Sequence, residues 1–239
     1  GYRNRGQFYF KNSKPHLSAR NSQEKVYIEK CLLMEDPLNS FLSNEGGKIK
    51  EGRVEIYTLE DGSVNIRRKG EDFLRSPFSQ VNTLMNEILQ NHLENLVDNF
   101  RPLHVLDLYC GNGNLGKRLA SKAYLRSLIG VEWNQDIDKT NCSYQILSSS
   151  VEDYLKKLSH LEENTLVVVD PPRVGLSNEV VSLLLKLRPE IIVYVSCDPS
   201  TLARDLKVLV SDYGIENSQG FDMFPQTDHI ESMTTLRRL

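Results

Sequence analysis

The chain has 239 residues, 39% hydrophobic and 26% charged, with a formal net charge of −3. That composition is globular, sufficient for one large core or a core with a small annex, and its slight acidity argues against indiscriminate binding to nucleic acid. No apolar run approaches the roughly 20 residues that span a bilayer, and no charged-then-apolar leader stands at Gly1-Tyr2, where the missing methionine leads us to expect a longer parent protein.

Residues 1–30 carry seven Lys/Arg, among them Arg3, Arg5, Lys11, Lys14 and Lys25, against Glu24 and Glu29. This local excess reads either as a solvated strand or as a face that contacts phosphates. The first 75 residues alternate in short stretches. Gln7–Phe10, Val26–Ile28, Val54–Tyr57 and Ser63–Ile66 read as strands, Asp61-Gly62 as a hairpin turn, and 36–44 as a helix. A small, mainly β annex over 1–75 is expected, followed by a catalytic domain over 76–239.

After Pro77, the residues Val81, Leu84, Met85, Ile88, Leu89, Leu93 and Leu96 recur at helical spacing. From residue 103 apolar strands (103–109, 128–132, 145–149, 165–170, 190–197) alternate with helices (115–124, 134–142, 151–159, 178–187, 200–210). Ser150–Asp153 and Asp198-Pro199 mark two helix starts. Such alternation implies an α/β fold whose parallel sheet is covered on both faces. The two last strands, 214–224 and 231–239, have no helix between them and are expected to end the sheet as an antiparallel pair.

The loop after the first of these strands contains Gly111, Gly113 and Gly116 as G-x-G-x-x-G, with Glu132 about 20 residues on. The spacing suits a nicotinamide dinucleotide or S-adenosylmethionine, since both carry a ribose that a carboxylate can bind. Asp107, just before the glycines, would repel a pyrophosphate but suits a cationic sulfonium, and so favours the second cofactor.

Ligands of such sheets bind outside the carboxyl ends of the strands. Two clusters fall there, Asp170-Pro-Pro-Arg173 and Ser196-Cys197-Asp-Pro199. A cysteine at a strand end is usually a small buried hydrophobe. Here a helix start beside the sulfur favours thiolate, with Asp198 opposing it in part. A pyrimidine C5-methyltransferase needs such a thiolate, and a base to take the carbon-5 proton. Asp228, His229 and Glu231 are candidates for that base.

Together, Phe78–Asn82, Asp107–Asn114, Asp170–Gly175, Val195–Pro199 with Thr201–Asp205, and Phe224–Glu231 resemble the RNA uracil-5-methyltransferases, which make 5-methyluridine in transfer and ribosomal RNA. The resemblance implies a class I (Rossmann-like) methyltransferase sheet using S-adenosylmethionine, with Cys197 as nucleophile and Glu231 as base. It also implies Gln80, Tyr109, Gly111, Asn114, Glu132 and Asp170 around the cofactor, and an RNA substrate held partly by the annex.

The sequence departs from the family in three places. Asp198 stands where members often have Asn, and the N-terminal RNA-binding barrel of many members is not in this chain. Some members hold an iron–sulfur cluster, and Cys31 resembles its fourth ligand without the other three; no metal ligands are assigned here. The four dispersed cysteines suit a reducing, cytoplasmic setting, and a monomer is expected. The alternatives are a nicotinamide-dependent oxidoreductase, an N-methyltransferase suggested by Asp-Pro-Pro, and a non-catalytic RNA-binding remnant.

Overall fold

A computed structural model describes residues 1–19, 22–59, 61–68, 80–135 and 142–239. The helix expected at 134–142 and the Phe78-Ser79 part of the first motif lie outside these residues, wholly or in part. The described residues form two compact units, one made of those in 1–68 with 80–84 and one of those in 85–239.

In the first unit, β1 (Arg5–Lys11), β2 (Lys14–Ser18), β3 (Lys25–Tyr27), β4 (Gly52–Thr58) and β5 (Val64–Arg68) build an antiparallel sheet in the order β3-β2-β1-β4-β5. Period-2 alternation places Phe8, Phe10, Val54 and Ile56 on one face, where they are buried with Leu38 and Leu42 of helix α1 (Asp36–Glu45). Gly62 makes the β4–β5 turn with φ +81°, a value that needs glycine. Strand β2 was not legible in the sequence, because Pro15 and His16 interrupt the apolar alternation; Pro15 still pairs with Phe10. Cys31 packs against this core as a free thiol. Among the described residues no group of three or more His, Cys, Asp or Glu could hold a metal ion.

The second unit is a seven-stranded sheet made of β6 (His104–Leu108), β7 (Ser127–Glu132), β8 (Gln145–Ser148), β9 (Thr165–Val169), β10 (Ile191–Ser196), β11 (Tyr213–Phe221) and β12 (Glu231–Arg238). Their order is β11-β12-β10-β9-β6-β7-β8. All pairs are parallel except β10–β12 and β11–β12, which gives the expected antiparallel ending.

Every residue of β9 and β10 is buried. Val167, Val169, Ile192 and Tyr194 face α3 (Val151–Lys157), α4 (Asn178–Leu187) and α5 (Pro199–Leu209), while Val168, Val193 and Val195 face α2 (Thr83–Phe100). Each buried aliphatic side chain contributes ~1.5–3 kcal/mol, so both faces need the cover that these helices supply. Ser150 caps α3 by accepting from the Asp153 amide at 3.1 Å. The α-helix expected at 115–124 is instead a 3-10 helix over Gly116–Ser121. Its face of the sheet is already filled by Leu89, Leu93 and Val97 of α2, which leaves room only for Leu115 and Leu119. No helix among the described residues is long and apolar enough to cross a membrane.

Candidate active site

The strand order reverses beside β6, since β7 and β8 extend one way and β9 and β10 the other. The carboxyl ends of β6 and β9 therefore flank a crevice of the kind that takes ligands in open α/β sheets. Chain leaving β6 enters left-handed backbone at Tyr109 (φ +61°), Gly111 (φ +54°) and Gly113 (φ +83°). At Tyr109 that conformation costs on the order of 1–3 kcal/mol and persists only where the surroundings hold it.

Those surroundings centre on Asp107, 1% exposed, whose Oδ2 accepts from the Tyr144 hydroxyl at 2.6 Å. The Gly116 amide also donates to this carboxylate. A Cβ on Gly116 would lie 2.5 Å from the Tyr144 oxygen and 2.6 Å from Asp107 Oδ2, so only glycine fits. Burial pushes the Asp107 carboxyl up to about 7 against these hydrogen bonds. Beyond the charge by which the sequence reading favoured a sulfonium cofactor, Asp107 fastens the loop through Tyr144 and the Gly116 amide. Tyr144 went unrecognised because it belongs to no motif; only the fold brings it under the glycines.

Glu132 ends β7 with both oxygens anchored. Oε2 accepts from the Gly111 amide at 3.1 Å and Oε1 from the Asn134 amide at 2.9 Å. A Cβ on Gly111 would meet nothing within 4 Å, so the loop has open space where a ligand can approach its backbone. An anchored carboxylate beside an open glycine fits an adenosine-bearing cofactor. Asn114 is turned to α2, accepting from Gln90 Nε2 at 2.9 Å and exchanging two bonds with Asn86 at 2.9 and 3.1 Å. The Tyr109 ring packs against the core, and burial raises its hydroxyl pKa. Gln80 belongs to the first unit, where its carbonyl accepts from Asn4 Nδ2 at 2.9 Å.

The second cluster is made by strand register. In the antiparallel β10–β12 ladder Ser196 is paired with Ser232, and Ser232 Oγ donates to the Ser196 carbonyl at 3.3 Å. Cys197 follows Ser196 at the end of β10 and Glu231 precedes Ser232 at the start of β12, so both lie at this end of the ladder. On the other side of β10, Tyr194 pairs with Val169, so Asp170 follows at the same edge, its amide bonded to the Leu108 carbonyl at 3.3 Å.

The electrostatics couple these groups. Burial raises the Cys197 thiol, Glu231 and Asp170 add to the rise, and Arg173 opposes it. Burial likewise pushes the Glu231 carboxyl up to about 7, again against Arg173. Asp170 is held well above the carboxylate range by burial, then by Glu231 and Asp107. The expected activation of the sulfur by the α5 amides therefore needs correction. Asp198 Oδ1 takes the Ser200 and Thr201 amides at 2.9 and 3.0 Å, and the free thiol sits above its usual range. Of the other base candidates, Asp228 is exposed, and His229 stands edge-on to Phe224 at 6.0 Å.

The Pro172–Leu176 loop rests on α5. Asp205 Oδ2 accepts from the Leu176 amide at 2.8 Å and the Tyr194 hydroxyl at 2.7 Å, and Thr201 Oγ1 donates to the Arg173 carbonyl at 3.2 Å. Arg204 donates to the Val174 carbonyl at 2.9 Å. Thr201–Asp205 was legible as a motif without a role; its role is to set the loop that bears Arg173.

The family described as tRNA (uracil-5-)-methyltransferase matches residues 153–239, which hold Asp170, Arg173, Cys197 and Glu231. The whole chain is 34% identical to an uncharacterized RNA methyltransferase of Bdellovibrio bacteriovorus, covering 99% of this chain and 65% of that protein. It is 32% identical to one of Protochlamydia amoebophila, covering 93% of this chain and 55% of that protein. The chain thus spans less than two thirds of the length of these RNA methyltransferases. Among solved structures it resembles the Pyrococcus abyssi tRNA (uracil-54, C5)-methyltransferase in complex with S-adenosyl-L-homocysteine, with a TM-score of 0.71 and 21% identity over 98% of this chain and 76% of that one. The fold is the class I methyltransferase fold.

Proposed function

We propose that this chain methylates carbon 5 of a uridine in ribosomal or transfer RNA, using S-adenosylmethionine and a transient covalent bond between Cys197 and carbon 6. The observation that supports this reading is the β10–β12 register, which pairs Ser196 with Ser232 and so brings the next residue, Cys197, and the buried Glu231 to the same end of the ladder.

When bound, S-adenosylmethionine would supply an electrophilic methyl group, with Glu132 on the ribose and Gly111 leaving its path clear. Asp170, at the switch point, would line the same site. Carbons 5 and 6 of a stacked uracil are out of reach, so the base must first leave its helix. The Cys197 sulfur, its proton passed to solvent, would then add to carbon 6, and carbon 5, now enolate-like, would take the methyl as the methyl–sulfonium bond breaks. Glu231 removes the carbon-5 proton, the ring double bond re-forms and the sulfur departs.

A carboxyl that titrates near 7 suits both halves of this sequence. Protonated, Glu231 does not repel a thiolate at Cys197; ionised, it can accept the carbon-5 proton, and bases with pKa near the working pH are the effective ones. The Arg173 guanidinium favours the charged form of each group.

The test is transfer of labelled methyl to ribosomal and transfer RNA with mapping of 5-methyluridine. Cys197→Ala should abolish transfer, and Glu231→Gln should accumulate a denaturation-resistant protein–RNA adduct. Full activity in Cys197→Ala would refute the covalent route, whereas rapid turnover in Glu231→Gln would move the base role to another group.

A further inference from the structure

The outer face of the five-stranded sheet has no part in the chemistry above, yet its composition is not that of an idle surface. Cross-strand register places Tyr27, His16, Tyr9 and Arg53 side by side on β3, β2, β1 and β4. With strands ~4.8 Å apart, the row is roughly 14 Å long. It lies opposite the face that buries Phe8, Phe10 and Val54.

The rings are accessible and close to cations. Tyr27 is 49% exposed, the His16 ring meets it edge-on at 5.9 Å, and Lys14 Nζ stands 5.3 Å from its centre. A groove of about 520 Å³ opens at the middle of the row, lined by Tyr9 and His16 with Lys11, Lys25 and Glu51. Two lysines therefore face one carboxylate within it, and Lys14 and Arg53 extend the positive rim. Packing explains none of this for β3, because Lys25, Val26 and Tyr27 are all exposed.

We propose that this row is a stacking platform for two or three unpaired nucleotides of the RNA substrate. The inference rests on the RNA reading above but concerns a separate surface. Aromatic faces with interleaved cations hold unpaired bases by stacking and the connecting phosphates by charge. A duplex keeps its base faces covered and would gain only the charge contacts. The platform would thus favour RNA with an unpaired stretch.

The experiment measures binding of the full chain to a labelled single-stranded oligouridine and to an RNA duplex of equal length, by fluorescence anisotropy over a salt series. Tyr27→Ala and His16→Ala should each weaken single-strand binding ~5- to 100-fold, and Tyr27→Phe should retain it. Lys14→Gln with Lys25→Gln should flatten the salt dependence. The duplex should bind more weakly and be unaffected by Tyr27→Ala. The proposal fails if the chain does not bind the single strand, if the Ala variants match the parent, if Tyr27→Phe loses as much as Tyr27→Ala, or if the duplex binds equally well. Methyl transfer that survives intact in variants that bind normally would sink the platform and spare the catalytic reading. Platform-dependent binding without any methyl transfer would do the reverse.

Discussion

The loop-bearing edge of the seven-stranded sheet has two parts built on different principles. Around β6 and β7 the site is assembled over a short span of chain. Left-handed glycines, the anchored Glu132 and the buried Asp107 all lie within 26 residues of one another. Around β9, β10 and β12 it is assembled by register, which brings Glu231 and Cys197 to the same end of the β10–β12 ladder across 33 residues of intervening helix, strand and turn. The first part is as good as its local geometry allows. The second is as good as the ladder that aligns it.

The largest separation of the two should come from Gly116→Ala. Its Cβ would strike Tyr144 and Asp107, and overpacking plus the loss of those hydrogen bonds should lower stability by about 3 kcal/mol. Denaturant unfolding would measure this, and calorimetry with S-adenosylhomocysteine should show at least ~10-fold weaker binding at that stability cost. Gly111→Ala has open space around the new Cβ, so it should impair binding with a loss of only ~1–2 kcal/mol from its positive φ. Equal stability losses in the two variants would mean that the loop is not fastened through Gly116.

Next in size is a pH effect on the same loop. Asp107 has its folded pKa raised to about 7 from 3.8. Between those values the folded protein holds a proton that the unfolded chain has released, so its contribution to stability falls as pH rises through that window. Asp107→Asn removes the titration. Its stability relative to the parent should therefore climb by a few kcal/mol from pH 4 to pH 8, as read from urea midpoints at each pH. A constant difference would show that Asp107 is ionised throughout.

The smallest effect sharpens the other part of the edge. Ser232→Ala deletes the hydroxyl bond to the Ser196 carbonyl, worth ~0.5–1.5 kcal/mol, while the backbone ladder that aligns Cys197 with Glu231 stays intact. Methyl transfer should drop less than ~10-fold. A loss beyond ~100-fold would mean that this side-chain bond, and not backbone pairing, sets the alignment.

The alternating strands and helices, the glycine loop, the antiparallel ending and the Asp198 cap were legible in the sequence because each depends on residues close together in the chain. Period-2 apolar runs announce buried strands wherever they pack, and Asp-Pro starts a helix by its own chemistry. What stayed hidden depends on partners distant in sequence. Asp107 read as a charge facing a ligand until Tyr144 and the Gly116 amide enclosed it. Asn114 proved to be tied to Gln90 and Asn86.

By itself, then, the sequence determined a doubly wound sheet, the glycine loop and the candidates Cys197 and Glu231. Tertiary structure decided that these two lie at the same end of one ladder, that burial raises the pKa of both groups and that Arg173 opposes the rise. The reason is physical: local geometry is fixed by neighbouring residues, whereas burial and Coulomb coupling depend on what the fold packs around each group.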